Sequence, residues 1–257
     1  MDQFRGAIAA LFSSQDVAAQ QAANQWLNEF APTPAAWEAS LNILEPALPA
    51  NVGFFAANML LNKSRTEWSR LPQESRTQLT AAISVKLQSL IQGNADALVC
   101  QRLCMVLASM AVRTNAEAVQ AYLAQALNTA SQAQSAAQLQ SALVMLTEVQ
   151  HESADLDTQR ATANSKAMSP SAGAVLALVQ QVLANVQAAG GESVAITAVK
   201  CLHAWCDSAH AGIGISPRPV TLARLHTEHG ALLSALFQLV GSENSDLREG
   251  VVTVLVA

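Results

Sequence analysis

Rings and charges are both scarce in this chain of 257 residues: Phe, Trp and Tyr supply 4% and Asp, Glu, Lys and Arg 13%, while 51% is hydrophobic. A core with so few aromatics has to be filled by Ala, Leu and Val, which suits closely packed helices. Only 14 Lys and Arg stand against 19 Asp and Glu, a formal charge of −5, and the basic residues do not cluster. This argues against direct nucleic-acid binding, because phosphates are neutralised by grouped cations. An acidic surface favours basic partners instead. No uninterrupted apolar run nears the roughly 18 residues that suggest a membrane span. The start Met1-Asp2-Gln3-Phe4-Arg5 has no basic flank leading into an apolar signal core. The expectation is therefore a soluble, intracellular chain without membrane insertion.

Motifs that carry chemistry are also missing. There is no phosphate-binding loop and no Gly-x-Ser-x-Gly elbow, and Gly212-Ile213-Gly214 lacks the third glycine and the preceding strand of a dinucleotide loop. Carboxylates are dispersed rather than paired. Of the four cysteines, Cys100 and Cys104 lie one helical turn apart and Cys201 and Cys206 flank His203, but no Cys-x-x-Cys knuckle completes a metal site. Such cysteines are read as reduced and packed in a core. His226 and His229 are read as a surface pair, and Trp26, Trp37, Trp68 and Trp205 as packing anchors. Ser216-Pro217-Arg218-Pro219 is read as a stiff surface loop. Neither an enzyme nor a cofactor is expected.

What the chain does contain is helical periodicity, over and over, with Pro, Gly, Asn and Ser between the stretches and no convincing strand. Phe4, Ile8, Leu11 and Phe12 form one stripe, and after Ser13-Ser14 a second follows with Val17, Trp26, Leu27 and Phe30, capped by Asp16. Thr33-Pro34 opens the next helix, with Trp37, Leu41, Leu44 and Leu48, ended by Pro46 and Pro49. Its partner places Val52, Phe55, Ala56 and Met59 on one side and Asn58, Asn62 and Arg65 on another, so one side packs and the other is free to bind. A third pair carries Leu79, Ile83, Leu87 and Leu90, then Val99, Leu103, Val106 and Met110 after Gly93-Asn94. A fourth carries Val119, Tyr122 and Leu123, then Leu139, Leu143 and Leu146.

Residues 151–170 lose this period and read as a long connection with one short helix. Val175, Val179, Val182 and Val186 restart it, Gly190-Gly191 turns the chain, and Ala195, Val199, Leu202 and Cys206 return. Beyond 212–219, the last pair runs from Leu222 to Val240 and then through Leu247, Val251 and Val254. Ending in the apolar run 251–257, the sequence reads as the amino-terminal portion of a longer protein, because such arrays normally finish in a polar cap. The fold class that follows is all-α, an α–α superhelix of about six antiparallel helix pairs. It divides into 1–150, the connection 151–170 and 171–257.

A family likeness rests on Ala23-Asn24-Gln25-Trp26-Leu27, Ala36-Trp37-Glu38, the run from Phe54 to Lys63, and Leu71-Pro72. It continues in Cys201-Leu202-His203-Ala204-Trp205, in the run from Leu232 to Phe237 and in Asp246-Leu247-Arg248-Glu249. In these the chain resembles importin-β family nuclear transport receptors, most of all the transportin-3 and importin-13 branch. The resemblance implies a HEAT/ARM-like solenoid, Ran-GTP held on the inner second helices of the first repeats, protein cargo such as basic or RNA-processing proteins, nucleoporins as further partners, and shuttling between cytoplasm and nucleus. Carried over to this sequence, the Ran-facing residues it implies are Asn58, Asn62, Lys63, Arg65 and Arg102. The alternative is a helical-repeat adaptor with no Ran contact. The basic character the family often shows after the fourth repeat is reduced here to Arg160 and Lys166.

Overall fold

The structure is a computed structural model that describes residues 2–186, 191–206, 220 and 222–256. The described residues form helices and turns, in two units, Met1–Arg113 and Thr114–Ala257. The division between these units falls after Arg113. The loop 212–219 and the glycine at 190 lie outside the described residues.

The first unit contains α1 (Asp2–Ser13), α2 (Val17–Phe30), α3 (Ala35–Ile43), α4 (Ala50–Thr66), a single 3-10 turn at Trp68–Arg70, α5 (Gln73–Gln92) and α6 (Ala97–Val112). Helices pair in chain order, α1 with α2, α3 with α4 and α5 with α6, and the second helices α4 and α6 also pack on each other. Gly53 on α4 makes that approach close, since a Cβ there would meet Val99 Cγ2 at 3.1 Å. Asp16 and Asp96 start α2 and α6 by accepting from the amides of Ala18 (2.9 Å) and Leu98 (2.8 Å), two of the donors a helix start leaves unpaired.

Details of the first unit depart from the periodic reading, and Phe12, expected in the stripe of α1, is exposed at its last turn. Val17, expected in the packing stripe of α2, is exposed, because it sits at the first helical position beside the cap. Helix α3 ends at Ile43, short of Leu48; Leu44 is already extended, two residues before Pro46, whose ring disfavours helical backbone at Glu45. The aromatic members of the first pair cluster, Trp26 stacked on Phe30 at 4.8 Å and Phe4 tilted against Phe30 at 5.4 Å.

The second unit contains α7 (Ala116–Ser131), α8 (Ala136–Ala154), α9 (Thr158–Met168), a 3-10 turn at Ser169–Ser171, α10 (Ala172–Ala184), α11 (Glu192–Cys206), α12 (Leu222–Glu228), α13 (Gly230–Leu239) and α14 (Ser245–Val256). Again α7 pairs with α8, α10 with α11 and α13 with α14, while α11 packs on both α8 and α14. Three pairs in each unit account for the repeat seen in the sequence, and the all-α, helical-repeat expectation holds. Caps recur at Asn115, Ser135 and Asp157, which accept from Ala118, Gln138 and Arg160. Trp205 is buried and donates its indole N–H to the Leu146 carbonyl at 2.8 Å, tying α11 to α8.

The connection expected over 151–170 does hold one short helix, but it is more helical and more packed than a connection. Helix α8 continues to Ala154, Asp157 caps a new helix, and α9 packs on α7 and α8 with Asn164, Ser165, Ala167 and Met168 buried. Its polar residues hid its packing face from a hydrophobic count, yet Asn164 and Ser165 are buried and neither lacks a partner. The single helix expected from Leu222 to Val240 is also corrected, because the chain breaks at His229 between α12 and α13. The nearly continuous helical stretch Thr158–Ala184 is long and apolar enough to cross a membrane by length and composition, with mean hydropathy 1.4 in its best window. Val175, Leu176, Val179, Val182 and Leu183 on it are nevertheless buried, the stripe of a core helix packed on α11 and α13.

Candidate functional site

The second helix of the second pair, α4, shows two distinct faces. Ala56, Ala57, Met59, Leu60 and Leu61 are buried, whereas Asn58 is half-buried and Asn62 and Arg65 are exposed. Positions 58, 62 and 65 fall at i, i+4 and i+7, so the helical period puts all three on one side. The face that the sequence left free to bind is therefore open.

Between α4 and α2 runs a groove of about 470 Å³. Its floor includes Leu27, Phe55 and Met59, and its walls carry Asn24 and Asn28 from α2 and Asn58 and Asn62 from α4. Of the five Ran-facing residues implied by resemblance, the groove brings together Asn58, Asn62 and Lys63; Arg65 and Arg102 do not line it. The contribution of Asn24 and Asn28 was not read from the sequence. Their i, i+4 spacing was visible there, but nothing local revealed that α2 turns them toward α4.

Lys63 closes one end of the groove in an unexpected way. Implied by the resemblance to face a partner, it is instead buried, with its side chain 3% exposed. Its ammonium donates to the carbonyls of Ala31 (2.8 Å) and Thr33 (2.9 Å) and pairs with the Glu67 carboxylate at 2.9 Å. It also lies 5.6 Å from the centre of the Trp37 ring, which itself tilts against Trp68 at 6.3 Å. Lys63 thus fastens the α2–α3 turn to the end of α4, and its charge is spent internally.

On α6, Arg102 lies over the Phe54 ring at 4.9 Å and directs Nη1 to the Met105 sulfur at 3.4 Å. The apolar platform holds the guanidinium in place without neutralising it. Helices α4 and α6 contain Lys63, Arg65 and Arg102 and no Asp or Glu. The first unit as a whole holds eight basic and eight acidic residues, so the formal charge of −5 belongs to the second unit. With Lys63 buried, Arg65 and Arg102 are the basic groups that α4 and α6 place outside the core, on helices with no carboxylate of their own.

Two family models match the chain. The model described as Importin-beta N-terminal domain covers residues 23–89, which contain α4 and most of α2 and α5. The model described as Exportin 1-like protein covers residues 96–255, more than half of the chain. The chain belongs to the importin-β family. Among curated karyopherins, Importin-13 of Bos taurus is 25% identical over 207 residues, 77% of this chain and 21% of that protein. Importin-13 of Homo sapiens is 27% identical over 106 residues, 41% of this chain and 11% of that protein. The chain thus spans about a fifth or less of the curated relatives it matches. An engineered protein of known structure aligns over 100% of this chain and 96% of its own at 17% identity, with a TM-score of 0.41, too low to carry an argument.

The remaining reactive side chains of this karyopherin chain are packed away. Cys100, Cys104, Cys201 and Cys206 are free thiols in the core, as expected. Burial pushes the Cys100 thiol up to about 11 and the Cys201 and Cys206 thiols up to about 12, because a thiolate would be stripped of water there. Among the described residues no three His, Cys, Asp or Glu side chains converge as a metal site would need. The family is one of transport receptors rather than enzymes.

Proposed function

We propose that this chain forms the Ran-GTP-binding part of a nuclear transport receptor, in which Ran-GTP and protein cargo compete through one flexible array of helix pairs. The observation that carries this reading is the open face of α4 and α6, where Asn58, Asn62, Arg65 and Arg102 lie on helices that carry no carboxylate. Part of that face falls inside the region matched as Importin-beta N-terminal domain. Asn58, Asn62, Arg65 and Arg102 make the contacts, and Lys63 contributes by fixing the end of α4 rather than by touching Ran. Such a surface suits a partner that offers carboxylates and backbone carbonyls.

The receptor works by linkage. Ran-GTP lowers the affinity for cargo by a coupling free energy, and cargo lowers the affinity for Ran-GTP by the same amount. Energy for the cycle comes from GTP hydrolysis on Ran, with nucleoporin contacts carrying the complex between cytoplasm and nucleus. The test is binding to Ran loaded with a non-hydrolysable GTP analogue, against Ran-GDP, with the paired variant Asn62→Ala and Arg65→Ala. Removing one neutral and one charged hydrogen-bonding group should weaken binding to the GTP form on the order of tenfold. Equal binding to both nucleotide states would replace this reading with a helical-repeat adaptor that does not sense Ran.

A further inference from the structure

Four asparagines line the α2–α4 groove, Asn24 and Asn28 on α2, Asn58 and Asn62 on α4. Among the described residues none of the four carboxamides has a hydrogen-bond partner in the protein. A carboxamide carries two donors and an acceptor, so the groove presents a double row of unmet hydrogen-bonding capacity above an apolar floor. Its only charged members are Lys63 and Glu67, and they neutralise each other at 2.9 Å.

We infer that this groove binds an extended, uncharged peptide segment of a partner protein through its main chain. The register supports this occupant. Residues four apart on a helix are separated by about 6 Å along the axis, and alternate residues of an extended peptide by about 6.6 Å. Each successive asparagine therefore meets every second peptide unit, donating to a carbonyl and accepting from an N–H. Side chains between those units drop onto Leu27, Phe55 and Met59, so the segment bears an apolar residue at alternate positions. Charged side chains find no counter-ion in the groove and would lose hydration on entering.

This inference does not depend on Ran binding, and the two fail separately, because its test alters α2 and leaves Asn62 and Arg65 intact. The probe is a displayed library of random dodecapeptides, selected on the full chain and counter-selected on Asn24→Ala with Asn28→Ala. Both carboxamides are exposed and unpartnered, so this variant should keep its unfolding temperature. The expected result is enrichment of uncharged peptides with alternating apolar residues. A synthetic peptide from that pool should bind at least tenfold more weakly to the variant, and at least tenfold more weakly to the native chain when its paired amides are N-methylated. Three results would overturn the inference: no enrichment over the variant, enrichment dominated by charged peptides, or equal binding after N-methylation. Self-association of the chain that the double variant abolishes would also overturn it, by making a second copy the occupant.

Discussion

Replacing Lys63 by Met separates a structural lysine from a contact lysine, because Met keeps most of the aliphatic stem and loses only the ammonium. In the folded chain that ammonium serves the Ala31 and Thr33 carbonyls and the Glu67 carboxylate. Two charge-assisted bonds to half-buried carbonyls contribute about 1.5–3 kcal/mol each. Against this, the substitution removes the desolvation cost of a buried ammonium, which offsets roughly half of the loss. Glu67 is 25% exposed, so its share of the pair is screened and adds less than about 1 kcal/mol. The net expectation for Lys63→Met is a destabilisation of about 3 kcal/mol, or a fall in Tm of roughly 6–12 °C for a chain of this size. Glu67→Gln should cost less than about 1 kcal/mol, because the two carbonyl bonds remain. Urea and thermal unfolding followed by circular dichroism would measure both. A Lys63→Met variant within roughly 2 °C of the parent, or a Glu67→Gln variant equally damaged, would refute the view that carbonyl capture fixes this turn.

Other expectations follow from buried contacts. Trp205→Phe removes the indole N–H that reaches the Leu146 carbonyl and part of the ring volume, while the carbonyl keeps its bond within α8, and urea unfolding should show a loss of about 1–3 kcal/mol; an unchanged midpoint would mean that neither contributes anything net. Gly93→Ala would bring a Cβ to 2.5 Å from Pro46 Cβ and Cγ, so the turn before α6 must shift. A cost of about 1–3 kcal/mol is expected, and a stabilised variant would contradict that close approach. Cys100, Cys201 and Cys206 should resist Ellman's reagent at pH 8 in the native chain and react at once in urea, whereas prompt native labelling would show that they are not buried. The same thiols sit above their ordinary 9.0 in the folded chain, so above that pH the folded state holds more protons than the unfolded one. Stability from this source is complete below about pH 9 and is lost as pH rises towards 12; a urea midpoint that climbs over this range would contradict the sign.

Much of the helical-repeat plan was legible because burial follows period. Ile83, Leu87 and Leu90 on α5, or Val99, Leu103, Val106 and Met110 on α6, are buried where their spacing placed them. Asp16 caps α2 for a local reason, and local reasons survive folding. The misses share a different cause, contact between residues far apart in sequence. The packing of α9 was hidden because its buried face includes the polar Asn164 and Ser165 and is defined by contacts with α7 and α8. The burial of Lys63 was not legible because its acceptors lie 30 and 32 residues earlier, in a turn whose position depends on α2 and α3. Asn58 and Asn62 could be assigned to an open face from α4 alone, whereas Asn24 and Asn28 gained meaning only once α2 stood opposite.

The enclosure of Lys63 also bears on chemistry done to the chain. The sequence has four lysines, Lys63, Lys86, Lys166 and Lys200. With Lys63 buried, the side-chain amines left to acylating reagents lie on α5, α9 and α11. Biotin or a cross-linker attached through those amines leaves α2 and α4 unlabelled, so a chain tethered in this way presents its asparagine groove chemically intact.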